Sequence, residues 1–275
     1  MRAFEYARPT SLADAVALLA EHGQAARVLA GGTDLIIRLR DRTYEPAVVV
    51  DVKRVPEMAP SIVQLDDEVR IAAGTTMTDV VESPLLQELF PALAESARFV
   101  GSVQIRNRAT LAGNQCNASP AADTAPPLLV YGAQLEVVGP KGVRAVELDD
   151  FFVLSGVTKL ERGELVTAVV LPVPRERVGS AFQRRTRRRG HDLASVTVAV
   201  SVAESGKTRL AYGSLGPRPW LFVSERPVPD LETWFTRAAP SPTSMRAGPD
   251  YRLAMLRVLT SRALAQARQR LEAAA

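Results

Sequence analysis

Apolar and polar positions alternate along this chain in a way that places its elements. Phe4-Glu5-Tyr6 reads as a short strand. Leu12, Ala15, Val16 and Leu19 then share one face of a helix. Ser11 is placed to cap that helix with Asp14 three residues on, and Gly23 to end it. The apolar runs Ala26 to Ala30 and Val48 to Val50 read as buried strands on either side of a second stripe, Leu35, Ile36 and Leu39. Strands that alternate with helices pair in parallel, so residues 1–55 predict a small β-α-β-α-β unit.

The pattern changes near Pro60. Val69, Ile71 and Ala73 alternate with polar neighbours as in a half-buried strand, and Thr78 is placed to cap a helix through Val80 and Val81. Leu85 to Leu89 and Pro91 to Ala94 continue helically towards Phe99, and Pro126 and Pro127 precede a helical Leu128 to Tyr131. Ala133 to Val138 and Gly142 to Val146 form a hairpin around Gly139-Pro140-Lys141-Gly142, and Val166 to Leu171 is a strand. Pro172-Val173-Pro174 marks the main boundary. Beyond it Ser180 to Gln183, Ala194 to Val202 and Arg209 to Ser214 read as three antiparallel strands, with Trp220 to Phe222 closing the sheet or its exit. The stretch from Pro227 to Pro249 carries no assignment. Tyr251 to Leu271 is a long amphipathic helix with Leu253, Leu256, Leu259, Ala263, Leu264 and Ala267 near one face. The expected fold is α+β. A two-part domain of residues 1–174 (1–55 and 60–174) combines a parallel unit with an antiparallel mixed sheet. A second domain, residues 175–275, holds a three-stranded antiparallel sheet with helices.

Composition narrows the class. A length of 275 residues with 47% hydrophobic content supports two or three domains with a real core. No apolar run approaches the ~18–20 residues of a membrane span, and the first residues lack the features of a signal peptide, so a cytoplasmic location is expected. Cys116 is the only cysteine, which excludes an internal disulfide and a cysteine-ligated iron–sulfur or zinc site; it reads as a small buried filler. His22 and His191 stand in no triad or metal-ligand spacing and read as surface residues, so hydrolytic chemistry finds no support. The net charge is +4, and only Lys53, Lys141, Lys159 and Lys207 among 34 basic residues are lysines. The dense run Arg184-Arg185-Thr186-Arg187-Arg188-Arg189 reads first as a solvated loop or strand edge. Its sharper readings are a docking surface for an acidic partner, shared with Pro227 to Pro249, or contacts with an anionic ligand. No aromatic interleaving points to nucleic acid.

Two glycine-bearing turns carry the chemistry. The first is Val28-Leu29-Ala30-Gly31-Gly32-Thr33-Asp34-Leu35, a strand, a tight turn and a helix start with Thr33 or Asp34 as cap. The second is Asn107-Arg108-Ala109-Thr110-Leu111-Ala112-Gly113-Asn114, followed by Asn117-Ala118-Ser119-Pro120-Ala121-Ala122-Asp123. Glycine lets backbone come close to a ligand, and unpaired N–H groups suit a phosphate without lysines. Neither turn is a G-x-G-x-x-G fingerprint or a P-loop. Together with Gln104-Ile105-Arg106, Glu164 to Pro172 and Tyr251 to Leu259, the two turns resemble the FAD-binding (medium) subunit of the molybdenum hydroxylases. That family includes xanthine dehydrogenase, aldehyde oxidoreductase and carbon monoxide dehydrogenase, and the likeness spans nearly the whole chain.

The resemblance implies a PCMH-like FAD-binding fold. It implies that Val28 to Leu35 wraps the FAD pyrophosphate and that Thr110 to Asn114 forms a second strap. Val100, Leu165 and Val166 match cofactor-lining positions, though each reads equally as ordinary core. Asp123 matches a carboxylate on the sugar or adenine side, and by itself reads equally as a helix N-cap before Thr124. Two residues depart from the family pattern. Ala112 stands where glycine is common, and Gln183 or Arg184 stands where a lysine often lies near the flavin. The implied function is an electron relay without its own organic substrate or catalytic residue. Electrons would pass from the molybdopterin-binding large subunit through [2Fe–2S] clusters of a small subunit to FAD, and then to NAD⁺, a quinone or oxygen. The alternatives are a self-contained FAD oxidase or dehydrogenase, and a flavin-free assembly module.

Overall fold

The computed structural model describes residues 1–188, 190, 192–227 and 231–273. Arg189 and His191 of the sequence reading therefore lie outside the described residues. The N-terminal unit forms as the alternation requires: β1 (Glu5–Ala7), α1 (Leu12–His22), β2 (Ala26–Leu29), α2 (Leu35–Arg40) and β3 (Val48–Asp51). Its sheet runs β1-β3-β2 with both pairings parallel. Ser11 caps α1 by accepting from the Asp14 N–H at 3.1 Å, and Gly23 closes it at φ +52°. At α2 the expected side-chain cap is absent. Asp34 already has helical φ −94° and ψ −43° and makes no capping bond, so the first helical bond runs from Ile36 N–H to Gly32 C=O at 3.0 Å.

The second part contains β4 (Ile62–Leu65), β5 (Glu68–Ala72), α3 (Met77–Glu82), α4 (Pro84–Leu89), α5 (Pro91–Ala97), α6 (Val103–Arg106), α7 (Leu111–Cys116) and α8 (Ala125–Tyr131). The cap of α3 is Thr76 rather than Thr78. Thr76 and Asp79 form a full capping box, while the Thr78 hydroxyl bonds Asn107. The box satisfies two backbone donors at once, Asp79 N–H on Thr76 Oγ1 and Thr76 N–H on Asp79 Oδ2, which a cap two residues later would forgo. Pro126 and Pro127 lie within the first turn of α8, where their missing N–H groups cost nothing. The hairpin β6 (Gln134–Gly139) and β7 (Gly142–Glu147) follows, then α9 (Leu148–Phe151), β8 (Phe152–Leu154), β9 (Val157–Thr158) and β10 (Leu165–Pro172). The five-stranded sheet has the order β4-β5-β10-β6-β7, antiparallel throughout. β10 is its centre, and its near-continuous apolar sequence is buried almost throughout.

The C-terminal part holds β11 (Val178–Arg185), β12 (Val196–Ala203), β13 (Thr208–Gly213) and β14 (Trp220–Ser224), an antiparallel sheet in chain order. The segment expected to close the three-stranded sheet is itself the fourth strand, because Trp220 to Ser224 pairs along β13. α10 (Glu232–Phe235) and α11 (Pro249–Ala273) complete the chain. Val228, Pro229 and Asp230 of the Pro227 to Pro249 stretch lie outside the described residues; the rest is not without structure of its own, since Phe235 and Ala238 enter the second core with Leu256, Leu259 and Ala263. The buried stripe of α11 also contains Arg252, which is 1% exposed. Its guanidinium donates to the carbonyls of Ser214, Leu215 and Ser241, so its charge is spent on three backbone acceptors. The two parts meet where α8 packs on β12 and β13 and where the Tyr131 hydroxyl bonds Ser180 Oγ at 2.5 Å.

Candidate functional site

The site begins at the carboxyl end of β2, where ligands of open α/β sheets collect. A Cβ built on Gly31 would stand 2.0 Å from the Arg108 carbonyl oxygen. The two glycine turns therefore touch backbone to backbone, and only glycine permits it. Gly32 has φ +76°, a left-handed conformation, and a Cβ there would meet Leu29 Cδ1 at 2.8 Å. The second turn is pinned from below. Met77 N–H donates to Ala109 C=O at 2.8 Å and Leu111 N–H to Thr75 C=O at 3.1 Å. Thr110 caps α7 by accepting from the Gly113 N–H at 3.0 Å. Ala112 lies inside α7 and is not among the positive-φ residues, so its methyl group brings no backbone strain.

Between these turns and β10 lies a cavity of about 1140 Å³. That is larger than the ~300–1,000 Å³ of ordinary small-molecule sites. Val28, Ala30, Gly31, Gly32, Thr33, Asp34 and Leu35 line it from the first turn. Thr110, Ala112, Gly113 and Asn114 line it from the second, and Val100, Asp123, Leu165 and Val166 from the walls. Leu29 and Leu111 are not part of the lining. Leu111 is fully buried beneath the second turn, and Leu29 packs beside Gly32. His22, expected on the surface, also lines the cavity at the end of α1. Cys116 lines it too; burial pushes its thiol up to about 12, so it carries no thiolate for reactive chemistry.

Several lining residues escaped the sequence reading: Arg27, Arg38, Tyr44, Phe99 and Leu193. Arg184, read as one of a solvated run, is instead turned inward. Its guanidinium lies 4.9 Å from the Phe99 ring centroid, and its Nε is 3.4 Å from Asp123 Oδ1. Period-2 alternation held the signal, because Ser180, Phe182 and Arg184 share one face of β11. Arg185, on the other face, donates to the Tyr251 hydroxyl, and Arg187 to the Met245 carbonyl.

Asp123 is buried, and its Oδ1 has no hydrogen-bond partner among the described residues. It does not cap α8: the N-cap there is Thr124, with no side-chain capping bond. Burial raises the carboxyl to about 7, outweighing the opposing pull of Arg184 and Arg246. A buried acceptor of this kind suits a hydroxyl donor arriving with a ligand. A cavity with two backbone-lined turns and a buried carboxylate oxygen that lacks a hydrogen-bond donor suits a large, anionic, hydroxyl-bearing cofactor.

Comparison with known proteins identifies that cofactor. Residues 2–174 match the family described as FAD binding domain in molybdopterin dehydrogenase. The xanthine dehydrogenase FAD-binding subunit of Escherichia coli O157:H7 is 36% identical over 78% of this chain and 75% of its own. The carbon monoxide dehydrogenase medium chain of Afipia carboxidovorans is 32% identical, with 97% of each chain covered. The solved structure of reconstituted CO dehydrogenase from Oligotropha carboxidovorans superposes with a TM-score of 0.90 at 30% identity, covering 98% of this chain and 99% of that one. The chain belongs to the FAD-binding medium subunits of the molybdenum hydroxylases, and FAD is its cofactor. It is an FAD-dependent oxidoreductase subunit. No helix among the described residues is long and apolar enough to cross a membrane.

Proposed function

We propose that this chain is the electron-relay subunit of a cytoplasmic, heterotrimeric molybdenum hydroxylase. Its partners in this reading are a molybdopterin-binding large subunit and a small subunit with [2Fe–2S] clusters. Bound FAD joins one-electron delivery from the clusters to two-electron delivery to NAD⁺ or a quinone. The chain's own residues bind and orient that cofactor. Val28 to Leu35 and Thr110 to Asn114 hold the diphosphate, largely through backbone N–H groups. Asp123 accepts from a cofactor hydroxyl, and Val100, Leu165 and Val166 keep water from the apolar parts. Residues 1–174 form the FAD-binding domain and residues 175–275 a C-terminal domain, of which Asp192 and Leu193 reach the cavity lining.

The observation that carries this reading is the backbone contact of Gly31 with Arg108, which joins both turns in one cavity wall. The relatives' own names, "subunit" and "medium chain", support the multi-chain part. Native purification of the chain with whatever binds it is the test. The expected product is yellow and contains equimolar amounts of a molybdenum protein and an iron–sulfur protein. A flavin-loaded chain that stays alone would make it a self-contained flavoprotein. A colourless chain would make it an assembly module.

A further inference from the structure

The two turns are joined at their glycine ends by Gly31 and Arg108. A second connection lies at the opposite ends of their helices. Arg38, in the last turn of α2, donates from Nη2 to Asn117 Oδ1 at 2.6 Å, across 79 positions of sequence. Asn117 directly follows α7, the helix that the second turn opens. The other arm of the guanidinium, Nη1, donates to the Tyr44 hydroxyl, and its carbon lies 5.0 Å from the Tyr44 ring centroid. Tyr44 is in turn held by its own N–H on the Arg38 carbonyl at 3.1 Å. Arg38, Tyr44 and Asn117 all line the cavity.

The other arginines lining the cavity are committed elsewhere. Arg27 bonds the carbonyls of Gln24 and Ala26, and Arg162 caps the end of α1 through the carbonyls of Ala20 and Glu21. Among the described lining residues, Arg38 is the cation bonded to both turn-bearing segments. A diphosphate brings two negative charges into a wall whose turns offer neutral donors, and its retention is aided by a fixed cation.

We propose that Arg38 is a positioning residue for the cofactor: its fork ties α2 to α7, fixing the separation of the two turns, and its charge offsets that of the dinucleotide diphosphate. This inference rests on the cofactor reading above. Lysine would keep the charge but not the two-armed fork, and glutamine would keep neither.

The test measures FAD release and rebinding for the full-length chain across a range of salt concentrations. Wild type, Arg38→Gln, Arg38→Lys and Asn117→Ala are compared, with apo-protein melting recorded for each. Losing a charge-assisted bond corresponds to about tenfold or more in release rate, expected for both Arg38→Gln and Asn117→Ala. Arg38→Gln should also flatten the salt dependence of FAD affinity, because screening acts on the charge. Arg38→Lys should restore the salt dependence but not the slow release. Asn117→Ala keeps the charge, so it should release faster with the wild-type salt dependence; it also carries the test if Arg38→Gln does not fold. Wild-type release in both Arg38→Gln and Asn117→Ala, or an unchanged salt slope in Arg38→Gln, overturns the proposal. A wild-type chain that takes up no FAD overturns the cofactor reading itself.

Discussion

Asp123 Oδ1, in the cavity lining, and Arg184 Nε behind it face each other at 3.4 Å, and neither atom has a hydrogen-bond partner among the described residues. The distance suits a charge pair, but the geometry leaves the donor and acceptor unmatched. Such a pair costs the folded chain desolvation without the return of a bond. The arrangement suits ligand binding better than stability.

A pH dependence follows. Burial raises the Asp123 carboxyl from 3.8 to about 7, so between those values the folded chain holds a proton that the unfolded chain releases. The contribution of this group to apo stability is fully present below about pH 4 and lost as pH rises through about 7. FAD affinity should move the opposite way, rising towards pH 7 and above as the carboxylate becomes the better acceptor. Asp123→Asn should flatten both profiles in thermal melts and FAD titrations. Asp123→Ala should weaken FAD by about 1–3 kcal/mol without lowering the apo melting temperature, since no cap is lost.

Gly32→Val should strip the chain of flavin while leaving it folded. Gly32 sits at φ +76°, which costs an L-residue about 1–2 kcal/mol, and the new side chain meets Leu29. Flavin absorbance per chain and far-ultraviolet circular dichroism check the two halves of this statement. Wild-type flavin content in the variant would place the diphosphate elsewhere.

Ala112→Gly, the change towards the glycine that the family resemblance leads one to expect, should bring no gain in flavin binding. Ala112 lies inside α7, where glycine costs about 0.5–1 kcal/mol relative to alanine. A loss of roughly 1–4 °C in melting temperature with unchanged FAD affinity is expected. Tighter FAD binding would show that the methyl group crowds the cofactor.

Arg252→Met should be among the most damaging changes far from the cavity. It leaves the carbonyls of Ser214 and Ser241 without their buried donor, while Leu215 C=O keeps the Ser241 N–H at 2.8 Å. With about 1–3 kcal/mol for a buried unsatisfied group, the loss should reach on the order of 3 kcal/mol in chemical denaturation. The loop that carries Ser241 should loosen first in hydrogen exchange.

Much of this architecture was legible because local patterns decide it. Alternation gave the strands, and glycine gave both turns and the end of α1. What escaped was set by fine local spacing or by contacts distant in sequence. Thr76 prevailed over Thr78 because Asp79 completes a reciprocal box, a detail of spacing that hydrophobic pattern does not carry. The sequence leaves Arg184 open between a solvated charged run and the register of a lysine near the flavin, because linear charge density ignores the two faces of a strand. The Arg38–Asn117 bond leaves no mark on either local segment. Arg252 is one of several arginines along α11, and only the packing of that helix shows that it is buried.

The central claim is that one FAD lies across the two touching turns. Flavin released per folded chain, measured for wild type and Gly31→Val, tests it most directly. A side chain at Gly31 cannot coexist with the Arg108 carbonyl at 2.0 Å, so it must push the turns apart. The account predicts one FAD per wild-type chain and almost none in a variant that keeps its circular dichroism spectrum. A folded Gly31→Val chain that retains a full complement of FAD would contradict it.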